Sequence, residues 1–219
     1  MESYLLSKPV VSQSGVVMHT TRKSIGRLRP AYTLVELVIV MVIMGVVGAM
    51  AIPHLNVSNY RVDAAAQQVR SVYMTAQRTS LTRQYDVIVT VDTLKNELRI
   101  AEDKNNNGTI DVGEWKFWRP PGEGNRFAVP PSNGTYNKGV YGAVTSSVAG
   151  DLLTTVNAMP SVIFHRDGST SSNAEIYIAS SYGTRTDWRA ITLTRSTGRT
   201  ELYRLEGAGA GLIWRTVGQ

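Results

Sequence analysis

Tyr32-Thr33-Leu34-Val35-Glu36, followed without interruption by LVIVMVIMGVVGAMAIP (37–53), is the stretch on which the reading of this chain turns. No Asp, Glu, Lys or Arg occurs from Leu37 to Tyr60. As a helix this uncharged run spans roughly 36 Å, enough to cross a bilayer core of about 30 Å. A secretory signal peptide is the alternative and fits poorly, because the apolar run is long and no A-x-A cleavage site follows it. Basic residues precede it: Lys8, Arg22, Lys23, Arg27 and Arg29 face a single acid, Glu2, within residues 1–31. Under the positive-inside rule that end stays cytoplasmic and the C-terminal bulk lies outside. Removing those 31 residues leaves 18 basic and 16 acidic residues, so the formal charge of +6 over the whole chain belongs mainly to the N-terminus. It is poor support for a nucleic-acid-binding domain.

Glu36 stands at the head of the apolar run. A carboxylate near the end of a membrane helix is tolerated at the interface, or it pairs with a positive charge on another chain. Both readings stay open on the residues alone. Pro53 either ends the span or kinks a helix that continues past it.

The segment Arg29-Pro30-Ala31-Tyr32-Thr33-Leu34-Val35-Glu36 with the apolar run behind it resembles the N-terminus of type IV pilins and pseudopilins. The resemblance implies cleavage by a prepilin peptidase between Ala31 and Tyr32, and methylation of the new N-terminal amine. Counted from Tyr32, Glu36 is the fifth residue and Pro53 the twenty-second, and both positions match the family in type and spacing. Two residues depart from it: Ala31 replaces the usual Gly before the cut, and Tyr32 the usual Phe after it. Alanine is small enough for a site that selects glycine. The resemblance gives Glu36 a role, pairing with the N-terminal amine of a neighbouring subunit and so setting axial register. In low dielectric that attraction is strong and an unpaired carboxylate is penalised. The leader is 31 residues, or 14 if translation starts at Met18.

The expected organisation is a cytoplasmic leader at 1–31, a transmembrane and assembly helix at 32–53, and a periplasmic globular domain at 54–219. Within that domain Val62, Ala65, Val69, Val72 and Ala76 recur at helical spacing, so 54–82 reads as an amphipathic helix. Its polar side carries Arg61, Gln67, Gln68, Arg70, Gln77 and Arg78. From 83 to 219 the pattern is mainly β. Strands are expected at 85–91, 97–101, 115–119, 161–166, 174–180, 188–195, 199–205 and 211–217, with turns at Asp167-Gly168, Thr197-Gly198 and Gly207-Ala208-Gly209. Residues 120–160, rich in Pro, Gly, Ser and Asn, read as a partly irregular insertion with a short strand at 139–145. The fold class is α+β, pilin-like, a long N-terminal transmembrane α-helix packed on antiparallel β-sheets. A helix leading straight into a strand, then SVIFHRDGST, AEIYIAS and WRAITLTRSTGRTELYR, is similar to the minor pseudopilin subgroup called GspH/FimT.

Residues 103–114 fit a calcium-loop pattern at every position. Asp103, Asn105 and Asn107 offer side-chain oxygens, Thr109 its carbonyl, Asp111 a carboxylate and Glu114 both of its oxygens. Gly108 permits the sharp turn and Ile110 points inward. Strands rather than helices flank the loop, and Asn and Gly are also what a plain hairpin turn selects. Calcium and turn therefore remain alternative readings, and no other cofactor is called for.

The chain has no cysteine and only His19, His54 and His165, which removes thiolate chemistry and leaves little for a histidine metal centre. His165 and Asp167 read as surface residues. With no catalytic constellation, the chain reads as a structural assembly subunit, not an enzyme. The resemblance implies other pilin subunits, the prepilin peptidase and an inner-membrane assembly platform as partners. Its course is a single-pass inner-membrane protein with a periplasmic domain, then a filament. The filament is a type II secretion pseudopilus or a type IV pilus. The alternative is a filament-borne subunit that binds DNA or a surface through Arg195 and Arg199, within a cluster that includes Arg185, Arg189 and Arg204. Some FimT-type subunits hold DNA with Gly-Arg-x-Arg. Here Glu201 replaces the second arginine, and a carboxylate repels phosphate, which counts against nucleic acid.

Overall fold

The computed structural model describes residues 32–51, 57–151, 153–181 and 187–218. The chain divides into two units, residues 1–52 and 53–219. In the first, the apolar run forms helix α1, Leu34–Ala51. Among the described residues no helix is long and apolar enough to cross a membrane. The 18 residues of α1 reach about 27 Å, and the sequence that extends the run, 52–56, lies outside the described residues together with Pro53.

The second unit begins with α2, Val57–Arg83. It stops where Gln84 takes a left-handed conformation, φ 61°, and donates its N–H to Ser80 O at 3.0 Å. That bond satisfies one of the orphan carbonyls at a helix end. Strand β1, Asp86–Asp92, follows at once and pairs antiparallel with β2, Glu97–Asp103. The remaining strands are β3 (Trp115–Arg119), β4 (Asn125–Phe127), β5 (Val148–Ala149), β6 (Thr154–Val156), β7 (Met159–Phe164), β8 (Ala174–Ser180), β9 (Trp188–Leu193), β10 (Thr200–Glu206) and β11 (Ile213–Thr216).

All pairings are antiparallel. One sheet runs β3-β2-β1-β7-β6, the other β11-β10-β9-β8-β4 with β5 also paired to β8. Helix α2 supplies Ala65, Ala66, Val69, Val72, Tyr73 and Ala76 to the core that both sheets share. Val87, Val89, Leu98 and Ile100 enter it from the first sheet, and Ile176, Ile178, Ile191 and Leu202 from the second. Full burial of each such aliphatic chain is worth about 1.5–3 kcal/mol before entropy is counted. Ile88 faces the other way, into a small cluster with Val156 and Ile163, so β1 is buried on both faces. That is why its sequence reads as nearly continuous hydrophobic residues.

Gln77 ties the helix to two hairpin turns, donating through Nε2 to Gly168 O (2.8 Å) and Thr197 O (2.7 Å). Gly198 has to be glycine there: its φ is +62° and a Cβ would lie 2.3 Å from Gln77 Nε2.

The 120–160 insertion is more structured than its composition suggests. It contributes β4, β5 and β6, whereas the strand expected at 139–145 is replaced by isolated bridges, Ser132↔Asn137 and Lys138↔Ala143. Val140, Val144 and Ala149 pack over Tyr177, Ala190, Trp188, Tyr203 and Trp214, covering the face of the second sheet turned away from α2. Trp214 Nε1 donates to Lys138 O at 2.8 Å, and Tyr177 and Trp214 lie 5.6 Å apart, centroid to centroid. Gly139 fits beneath this cover because a Cβ would meet Tyr177 Oη at 2.7 Å.

Candidate functional site

At the head of α1 the Thr33 hydroxyl accepts the Glu36 N–H at 3.2 Å, and Leu37 N–H donates to Thr33 O at 3.2 Å. Thr33 is therefore the N-cap and Glu36 the third helical residue, the spacing of a capping box. The signal Thr33-x-x-Glu36 stands in the sequence, and the reading of Glu36 as a membrane or assembly carboxylate passed over it. A carboxylate in the first turn also complements the helix dipole. Neither role removes the other. Glu36 is exposed, as is Tyr32 at 82%. Ala31 and Pro53 lie outside the described residues. Every large apolar side chain described in α1, from Leu34 (80%) to Val47 (60%), is open. A helix apolar all round is built to be surrounded by lipid or by other helices.

The 103–114 loop joins β2 to β3. Asp103, 0% exposed, accepts Asn107 N–H through Oδ1 (3.1 Å) and Gly108 N–H through Oδ2 (2.7 Å). Glu114 accepts Lys104 N–H through Oε1 (3.1 Å) and Asp111 N–H through Oε2 (2.8 Å). Asp111 Oδ2 takes the amide N–H of Asn105 (2.8 Å) and of Asn107 (2.9 Å). Thr109 donates to Asn107 Oδ1 through its N–H (2.8 Å) and hydroxyl (2.7 Å). Gly108 has φ +74°, and Ile110 packs against Ile88, Val156 and Ile163 as its inward position implied. The six residues named from the sequence are thus brought into one loop, and their hydrogen bonds close it. Among the described residues no three His, Cys, Asp or Glu side chains form a metal-holding group.

The arginine cluster is dispersed. Arg189 is 0% exposed and faces α2, where it donates to Asp63; Arg204 Nη2 reaches the same carboxylate at 3.5 Å. Even strand alternation conceals this, because Asp63 is 126 residues away in sequence. Arg199 is exposed and pairs with Glu201 at 3.0 Å, so the carboxylate that breaks the Gly-Arg-x-Arg pattern also occupies its one remaining arginine. Arg195 lies exposed on the same turn, its N–H donating to Asn173 Oδ1 at 2.8 Å. Arg185 lies outside the described residues. His165 Nδ1 bonds Asp86 Oδ2 at 2.8 Å and Asp167 accepts the Ser169 hydroxyl at 2.6 Å, a bond that holds its pKa below the usual carboxylate value. The first ties the end of β7 to the start of β1, and the second closes the turn at Asp167-Gly168.

Residues 27–52 match the prokaryotic N-terminal methylation motif. The N-terminal segment thus carries the signal motif found in type IV pilins. No curated protein matches the chain in sequence. Among solved structures it is similar to the minor pseudopilin EpsH from the type 2 secretion system of Vibrio cholerae. The two are 11% identical with a TM-score of 0.41, over 65% of this chain and 94% of that one.

Proposed function

We propose that the protein is a minor pilin or pseudopilin, a structural subunit of a type II secretion pseudopilus or type IV pilus. Prepilin peptidase cuts after Ala31. Residues 32–53 hold the chain in the inner membrane with the globular unit in the periplasm, and the same helix then packs among those of neighbouring subunits. The observation that carries this reading is the methylation motif lying on a helix whose apolar side chains are open on every side. Glu36, capped at the head of that helix, supplies the carboxylate that meets a neighbour's N-terminal amine. Filaments sheared from cells that produce the protein test the reading. The processed chain is expected to sediment with them; its restriction to the membrane fraction would contradict incorporation.

We also propose that the 103–114 loop takes up calcium weakly, as an addition to a turn that already holds itself. The donor set of carboxylate and amide oxygens suits a hard cation. Asn105 and Asn107 must first turn their amide N–H groups away from Asp111. That rearrangement and the small number of carboxylates point to a dissociation constant of about 10⁻⁴–10⁻³ M.

A further inference from the structure

Glu175 and Tyr177 of β8 project from the second sheet beneath the insertion. Glu175 is 8% exposed. Its Oε2 accepts the Val140 N–H at 3.0 Å and the Tyr177 hydroxyl, and the Tyr141 N–H bonds the same carboxyl. These three donors are neutral, and among the described residues no Lys, Arg or His pairs with it. A carboxylate taken out of water without a counter-charge is costly, and hydrogen bonds from neutral donors offset only part of that cost.

Glu175 lines a cavity of about 550 Å³ between the insertion and the sheet. Val144 and Ala149 give it apolar walls. Tyr141, 67% exposed, and Asp151 also border it. Among the described residues no basic side chain lines it. Lysine and arginine carry an aliphatic stem that favours apolar surface and a charged head that seeks a carboxylate. The walls match the stem and Glu175 matches the head. A bare metal ion would find too few ligands, since no three acidic or histidine groups converge among the described residues.

We propose that this cavity receives a lysine or arginine side chain presented by a partner protein, with Glu175 as its anionic receptor. The insertion then has a recognition role, because it forms one wall of the cavity and supplies two of the N–H groups that orient the carboxylate. The proposal stands apart from filament assembly and survives if that reading fails.

The test uses the full chain in detergent micelles, with Nα-acetyl-lysine methylamide as probe and Nα-acetyl-norleucine methylamide as the uncharged control. Amide resonances of Val140 and Tyr141 report binding. The lysine probe is expected to shift them saturably with a dissociation constant of about 1 mM, and the control to bind at least about tenfold more weakly. Glu175→Gln should weaken the lysine probe by a similar factor, and Asp151→Asn by about twofold. Equal response to both probes, response to neither, or undiminished affinity in folded Glu175→Gln would overturn the proposal. The two-probe comparison in the unaltered protein decides the matter even if Glu175→Gln does not fold.

Discussion

Asp63 of α2 holds Arg189 of β9, a guanidinium with no exposure to solvent, against the helix. Arg204 approaches the same carboxylate from β10. The contact fastens the first half of α2 to the second sheet, beside the Ser58 hydroxyl, which donates to Asp187, and the Asn59 amide oxygen, which Arg189 also reaches. Asp63→Ala removes the carboxylate that Arg189 and Arg204 share and leaves the buried Arg189 guanidinium bonded to neutral oxygens, Trp188 O and Asn59 Oδ1 among them. The expected loss is about 3 kcal/mol, measured by denaturant unfolding of the full chain in detergent. Asp63→Asn combined with Arg189→Met removes both charges and should cost much less. A loss under about 1 kcal/mol for Asp63→Ala would show that the pair is not a tie.

That contact also shows what can and cannot be read from the sequence. Strands with clear alternation and firm turns were legible nearly to the residue: Trp115–Arg119 and Ala174–Ser180 match their expected spans, and the other six of that set shift at one or both ends by one or two residues. The shifts have local causes. The strand expected at 161–166 runs instead from Met159 to Phe164, because His165 already bonds across its turn to Ser169. The strands β4, β5 and β6, of two or three residues, are too short to show a period. The sequence groups Arg189 with the other C-terminal arginines and does not reveal its burial, because burial of an arginine depends on an acid supplied by the fold, not by neighbouring sequence. The calcium-type loop was fully legible as a unit, but not the way its side chains bond to one another.

The 103–114 loop separates two effects by mutation. Asp103 is buried and receives two backbone N–H groups, so Asp103→Ala should destabilise the fold by about 1–3 kcal/mol whether or not calcium is present. Asp111 is exposed and receives side-chain amides, so Asp111→Asn should leave the fold intact. Calcium at about 5 mM is expected to raise the melting temperature of the unaltered chain by a few degrees and that of Asp111→Asn by less. An unchanged melting curve in the unaltered chain would leave the loop a hydrogen-bonded turn.

Glu175 makes a prediction about pH. Burial raises its pKa above the usual carboxylate value, and the Val140 and Tyr141 N–H groups only partly oppose the shift. Tyr177 on its own strand, Tyr141 from the insertion and Asp151 at the cavity are the titratable groups nearby, and Thr192 separates it from Glu201. The folded chain therefore holds this proton to a higher pH than the unfolded chain. The associated stability is present below the unfolded carboxylate value and is lost as pH rises through the raised one. Glu175→Gln should melt higher than the unaltered chain at pH 7.5, and the gap should close toward pH 4. A constant gap, or a lower melting temperature at pH 7.5, would contradict the burial argument.

Glu36→Val tests the assembly role against the capping role. Helix α1 keeps its Thr33 hydroxyl cap, which bonds the backbone N–H of residue 36 and not its side chain. Membrane insertion and cleavage should therefore proceed, while the amount recovered in sheared filaments falls at least about tenfold, as expected when a charge pair in low dielectric is lost. Incorporation equal to that of the unaltered chain would leave Glu36 a helix-terminus residue and nothing more.

The most direct measurement is the intact mass and N-terminal sequence of the protein recovered from native membranes. Processing at the methylation motif predicts a chain beginning at Tyr32 and carrying one added methyl group on its amine. A chain that begins at Met1 or Met18 would contradict the account, for it would show that Ala31 is not cut and that the apolar helix is a permanent anchor.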